Sequence, residues 1–100
     1  MHDRAYIELI FGQIQNLCEE LLGESCEAVV EIGPGEGVLT EELQRLDRPL
    51  YAIEKDTKLQ GSLQKFVEQG VVVVWSDVMA VDLGALAGEY GLNLSKTLLV

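Results

Sequence analysis

Glu31-Ile32-Gly33-Pro34-Gly35-Glu36-Gly37 places three glycines, a proline and an acid between an apolar run, Ala28 to Ile32, which carries a second acid, Glu31, and an amphipathic one, Val38 to Leu46. Glycines at alternate positions let a backbone turn with positive φ and let a ligand approach the main chain closely. Pro34 removes one amide donor and stiffens the corner. Such a strand-to-helix corner is where open α/β sheets take up nucleotides and related cofactors.

A dinucleotide fingerprint, G-x-G-x-x-G, needs its third glycine where this chain has Val38, and Glu31 and Glu36 would repel a pyrophosphate. The chain also lacks G-x-x-x-x-G-K-[ST], which removes the phosphate-cradling P-loop. Acids at this corner suit a ligand that is cationic and free of phosphate, and S-adenosyl-L-methionine, with an ammonium and a sulfonium, has that character. A second acid should then accept from the ribose hydroxyls, and Glu54, beside Lys55 at the end of the next apolar run, is so placed. A third should read the adenine edge: Asp77 follows the third run, with the backbone amide of Val78 or Met79 as donor to a ring nitrogen. The candidate cofactor-binding residues are therefore Glu31, Gly33, Gly35, Gly37, Glu54, Lys55, Asp77 and Val78.

The elements that must hold these residues follow from periodicity. Tyr6, Leu9, Ile10, Ile14, Leu17, Cys18 and Leu21 recur at helical steps, predicting a helix over Tyr6 to Leu22 with Asp3 as N-cap and Gly23 as stop. Ala28 to Ile32, Leu50 to Ile53, Val71 to Trp75 and Lys96 to Val100 read as strands. Val38 to Leu46, Thr57 to Gln69 (capped by Asp56, closed by Gly70) and Leu83 to Glu89 read as helices. Strands alternating with helices and apolar on both faces predict a doubly wound parallel α/β sheet, Rossmann-like. A fourth strand starting as the chain runs out suggests a single, partial domain over residues 1–100, incomplete at its C-terminus, whose open sheet could self-associate.

Composition narrows the partners. A net charge of −10 over 100 residues, with only seven scattered Lys and Arg, argues against this segment gripping a nucleic-acid backbone by itself. The longest apolar stretch, Val71 to Trp75, is far short of the ~20 residues that span a bilayer, and the acidic N-terminus has no signal-peptide head, so a cytoplasmic, non-membrane protein is expected. Cys18 and Cys26 are too few for a disulfide framework and read as reduced thiols, and no Cys/His cluster has metal-ligand spacing.

With these residues in hand, EIGPGEGVLTEEL (31–43), AIEKD (52–56), SDVMAVDL (76–83) and KTLLV (96–100) together resemble the ribosomal RNA adenine dimethyltransferase family of the KsgA type. The resemblance implies an S-adenosylmethionine-dependent enzyme that dimethylates adenine N6 in small-subunit rRNA, held through parts outside this segment. It further implies that Glu31 and the glycine loop face the methionine moiety, Glu54 the ribose and Asp77 the adenine. The family's catalytic signature, N-[LI]-P-[YF], follows the fourth strand and does not occur in residues 1–100, so no catalytic residue is assigned. Its Q-[NH]-F-L segment is matched only faintly by Gln15-Asn16-Leu17.

Blander roles remain open for several of these residues. Asp77 can serve as a turn former, Glu36 as a solvated loop charge, and Trp75 as core or as a wall of the adenine pocket. For the whole chain, the alternatives are a methyltransferase of another substrate class and a non-catalytic binding protein of the same fold.

Overall fold

The structure, a computed structural model, describes residues 26–100 together with Leu9, Gly12, Gln13 and Asn16. Those four isolated positions are helical. The rest of the expected N-terminal helix, its Asp3 cap and Gly23 stop, and Cys18 lie outside the described residues.

Seven elements follow in strict alternation: β1 (Ala28–Ile32), α1 (Val38–Leu43), β2 (Leu50–Glu54), α2 (Gln60–Glu68), β3 (Val72–Trp75), α3 (Leu83–Tyr90) and β4 (Thr97–Leu99). All strand pairs are parallel, in the order β3-β2-β1-β4. Ala28, Val29 and Val30 are all buried, as the central strand of a sheet covered on both faces requires. Pairing with β4 continues past the strand itself, through Val100 N–H to the Val30 carbonyl at 2.8 Å and Ile32 N–H to the Val100 carbonyl at 3.0 Å.

Alternate residues of a strand face opposite sides, and the two cores follow that rule. Val29, Leu50 and Ala52 pack with Leu43 of α1 and Leu63 and Phe66 of α2. Val30 and Ile53 pack on the other face with Leu86 of α3. The sheet is thus doubly wound, as its pattern predicted. Glu31 shares the face of Val29, and Glu54 that of Leu50 and Ala52, so both acids turn toward the side of α1 and α2.

The element ends differ from expectation in instructive ways. The helix read as running to Leu46 ends at Leu43 and tightens into a 3-10 turn over Gln44–Leu46, which Asp47 closes with a left-handed φ of 56°. The Asp56 side chain accepts from Lys58 N–H at 3.0 Å, so Asp56 caps as expected, but it starts a 3-10 turn over Thr57–Leu59 that precedes α2. Val71 belongs to the helix end, since its N–H donates to the Phe66 carbonyl at 2.9 Å. α3 is capped by Asp82, whose carboxylate accepts from Ala85 N–H at 3.1 Å.

Arg48 ties the amino ends of β1 and β2 together. Its Nε donates to the Cys26 carbonyl at 2.8 Å and its Nη1 to the Leu46 and Asp47 carbonyls at 3.1 and 3.3 Å. Cys26 is buried and forms no disulfide among the described residues. No helix among the described residues is long and apolar enough to cross a membrane.

Candidate functional site

The register aligns the carboxyl ends of three strands: Ile32 lies beside Ile53, and Glu54 beside Trp75. The loop after β1 is anchored at its start by Gly33 N–H, which donates to the Ile53 carbonyl at 2.8 Å. It turns back on itself where Gly37 N–H donates to the Pro34 carbonyl at 2.9 Å. All three of its glycines have positive φ, 66° at Gly33, 60° at Gly35 and 93° at Gly37.

Glu54 organises this corner. One carboxylate oxygen accepts from Gly35 N–H and the other from Asp56 N–H, both at 3.0 Å, so one side chain joins the glycine loop to the loop after β2. It is 7% exposed. A carboxylate oxygen has more than one acceptor direction, so both atoms keep capacity for a further donor.

Beside Glu54 lies a cleft of about 210 Å³ lined by Ile32 and Gly33, by Ile53, Glu54 and Lys55, and by Ser76 to Met79. It therefore collects the ends of β1, β2 and β3, and brings together Gly33, Glu54, Lys55, Asp77 and Val78 of the candidate set. Larger grooves of about 410 and 650 Å³ lie at the amino ends of the strands and along the outer edge of β3, and none of the candidate residues lines either.

Asp77 both lines the cleft and forms a turn. Its Oδ1 accepts from Met79 N–H at 2.9 Å, and its carbonyl accepts from Ala80 and Val81 N–H at 2.8 and 3.1 Å. The Met79 amide, one of two donors considered for a ring nitrogen, is thereby engaged, which singles out Val78 N–H. The Val78 side chain packs toward the α3 core, while that of Met79 stands 90% exposed at the cleft rim. Trp75 packs on the α1/α2 core and lines the outer groove, so it is a core residue and no wall of this cleft. Glu36 is exposed.

Glu31 stands apart from the cleft lining. It is 3% exposed, and its Oε1 accepts from the hydroxyl of Thr40, itself wholly buried on α1, at 2.5 Å. Gly35 and Gly37 likewise do not line the cleft. Sequence reasoning passed over Thr40 altogether; the available signal was a hydroxyl residue amid the apolar positions of a helix that follows a buried acid.

Burial pushes the Glu31 acid up from 4.5 to about 7, against a smaller lowering by the Thr40 hydrogen bond. A group whose folded pKa exceeds its unfolded one contributes stability that is complete below about pH 4.5 and is lost as pH rises to about 7. At roughly 1.4 kcal/mol per unit the loss is about 3 kcal/mol. Urea unfolding should accordingly find Glu31→Gln close to the wild type at about pH 4.5 and more stable by roughly 2–3 kcal/mol at about pH 8. An unchanging gap between the two proteins would contradict this.

A parallel β3-β2-β1-β4 sheet with a glycine corner after an inner strand, an acid as the last residue of β2 and another just past β3 defines a Rossmann-like methyltransferase fold. Solved structures agree. The 23S rRNA methyltransferase ErmE matches with a TM-score of 0.53 and 29% identity over 82% of this chain and 32% of that one. An RNA methyltransferase structure from Pyrococcus horikoshii shares the fold, with a TM-score of 0.53 and 22% identity over 73% of this chain and 38% of its own.

The sequence model described as ribosomal RNA adenine dimethylase matches residues 1–97, and the chain belongs to that family. Ribosomal RNA small subunit methyltransferase A of Acidobacterium capsulatum is 41% identical over 75 residues, which are 73% of this chain and 26% of that protein. Its namesake in Proteus mirabilis is 31% identical over 99 residues, 89% of this chain and 36% of that protein. The chain thus spans between about a quarter and about a third of the length of these curated relatives.

Proposed function

We propose that the corner formed by β1, β2 and β3 binds S-adenosyl-L-methionine, and that the intact protein, in the cytoplasm, uses it to dimethylate adenine N6 in small-subunit rRNA. The observation that carries the cofactor reading is the Glu54 carboxylate, held by two backbone amides at the edge of a cleft that also contains Asp77. Family membership and the likeness to ErmE support the substrate class.

The residues present fit the cofactor. Glu54 is pre-oriented by the Gly35 and Asp56 amides, so accepting from a pair of ribose hydroxyls requires little reordering. The second oxygen of Asp77 suits an exocyclic amine, and Val78 N–H a ring nitrogen. Ile32 and Ile53 supply apolar surface for the base. Acids at the corner and no clustered cations match a ligand that is positively charged and free of phosphate. When bound, the cofactor supplies a methyl group on a sulfonium, the electrophile for in-line attack by an amine.

Residues 26–100 bind, orient and partly enclose that ligand, while activation of the target amine belongs to the catalytic signature that the family places after its fourth strand. The excess of acid likewise assigns the grip on rRNA to other parts of the intact protein.

Calorimetry of the intact protein with S-adenosylhomocysteine, followed by incubation with unmethylated small-subunit rRNA and mass spectrometry of its nucleosides, tests the proposal. Saturable binding and appearance of dimethyladenosine are expected. Absence of binding would overturn the cofactor assignment, and binding without rRNA methylation would move the protein to another substrate class.

A further inference from the structure

Two hydrogen bonds made by side chains brace the glycine loop. One runs from Gly35 N–H to Glu54, and the other joins its two flanks, from Thr40 on α1 to Glu31 on β1. The second lies in a dry place: Thr40 is 0% and Glu31 3% exposed, and the donor–acceptor distance is 2.5 Å, at the short end of the range for a hydroxyl on a charged acceptor. Ordinary helix packing would be served as well by Val at position 40, which would leave an acid buried without a partner. A hydroxyl that satisfies an acid behind a ligand loop has a reason to be a hydroxyl.

Resting on the cofactor reading above, we infer that Thr40 is a positioning residue, holding the Glu31 carboxyl in one orientation behind the glycine loop and so setting the loop's affinity for the ammonium of its ligand's amino-acid end. Glu31 is the group whose charge that ligand end would feel. Among the described residues, the other charged groups on β2, α1 and the glycine loop are committed or exposed. Glu54 of β2 accepts from two amides, Glu42 of α1 pairs with Arg45 at 2.8 Å, and Glu36 of the loop and Glu41 of α1 face solvent. β4 brings no titratable side chain.

Burial places the ionisation of Glu31 at about 7, where a nearby cation draws the proton off. Affinity for a ligand with an ammonium should therefore rise with pH across neutrality. Affinity for the same nucleoside without the amino-acid end should not. The Thr40 hydroxyl favours the ionised form, so its loss moves the rise to higher pH.

The test is calorimetry on the intact protein with S-adenosylhomocysteine and with 5′-methylthioadenosine, which keeps adenosine and thioether but lacks the amino-acid end, from about pH 5.5 to 8. The wild type should gain about tenfold for the first ligand and stay within about twofold for the second. Thr40→Val should lose about fivefold to tenfold for S-adenosylhomocysteine at neutral pH, with its rise displaced upward, and Thr40→Ser should restore both. Glu31→Gln should flatten the profile, and the ligand's own titration, common to all variants, cancels in the comparison. A Thr40→Val loss equal for both ligands at every pH, or a wild-type profile no steeper than that of Glu31→Gln, overturns the inference while leaving the cofactor assignment standing. Failure of the wild type to bind either ligand overturns both. If Thr40→Val does not fold, the wild-type and Glu31→Gln profiles decide alone.

Discussion

Glu54→Ala is expected to weaken S-adenosylhomocysteine binding by two orders of magnitude or more. The side chain does two things at once. Facing the cleft, its carboxylate would offer charge-assisted bonds to the ribose hydroxyls of the proposed cofactor, together on the order of 2–3 kcal/mol. Facing the protein, it satisfies the amides of Gly35 and Asp56, and its loss frees the glycine loop from the β2 loop. An unsatisfied donor costs about 1–3 kcal/mol where water cannot replace the partner. The unpaired amides weaken the free variant as well, so only the part that loosens the loop, about 1 kcal/mol, reaches binding; the total, about 3–4 kcal/mol, corresponds to a loss between roughly 100-fold and 1,000-fold.

Glu54→Gln separates these contributions. Its carbonyl can keep the Gly35 amide, but its NH₂ would then meet the Asp56 amide, donor against donor. It should therefore bind more weakly than the wild type and lose less stability than Glu54→Ala, because the Gly35 amide keeps its acceptor. Calorimetry and urea unfolding on the same preparations check both statements. Equal affinity in Glu54→Ala and wild type would remove Glu54 from the ligand site.

Gly37→Ala should be the most damaging single change in the loop, through stability. With φ at 93°, a residue with a Cβ is strained by roughly 1–2 kcal/mol. The added atom would also overlap the buried Phe66 ring of α2, with Cζ only 2.9 Å away. Forcing that ring aside adds about 1–3 kcal/mol of overpacking. A loss of roughly 2–5 kcal/mol is large against the 5–15 kcal/mol that domains of this kind possess.

The same substitution at Gly33 or Gly35 meets no atom of the described residues within 4 Å of the added Cβ and should cost the backbone strain alone. Urea midpoints of the three variants should therefore rank with Gly37→Ala lowest. A Phe66→Leu change in the Gly37→Ala background should recover part of the difference. Equal losses at all three glycines would show that the Phe66 contact carries nothing.

These two residues show how differently the same motif was legible. Glu54 could be identified from its place at the end of a strand-like run, because strand period and strand length fix which residue emerges at the carboxyl end of a parallel sheet. Gly37 could be identified as a glycine of the loop, but its reason could not. Its φ is a local property, whereas the Phe66 ring that fills the space of its missing Cβ comes from the next helix.

Glu31 marks the limit of reasoning from residue type. In the sequence it is an acid beside three glycines, and its charge helped to exclude a dinucleotide. In the fold it is buried, bonded to Thr40 and pushed to a pKa of about 7, so it acts from behind the loop and outside the cleft lining. Burial depends on how closely α1 lies against β1, which no pattern within either segment specifies.

The amino-acid sequence by itself determined the alternation of strands and helices, the parallel sheet, the glycine corner and the acids at the carboxyl ends of β2 and β3, because each follows from short-range periodicity and turn chemistry. Only the tertiary structure decided which of those groups share a cleft, which glycine serves packing, and that Thr40 partners Glu31. Those relations are set by distances between elements far apart in the chain, and they arise only when β1, β2 and the two helices pack around one core.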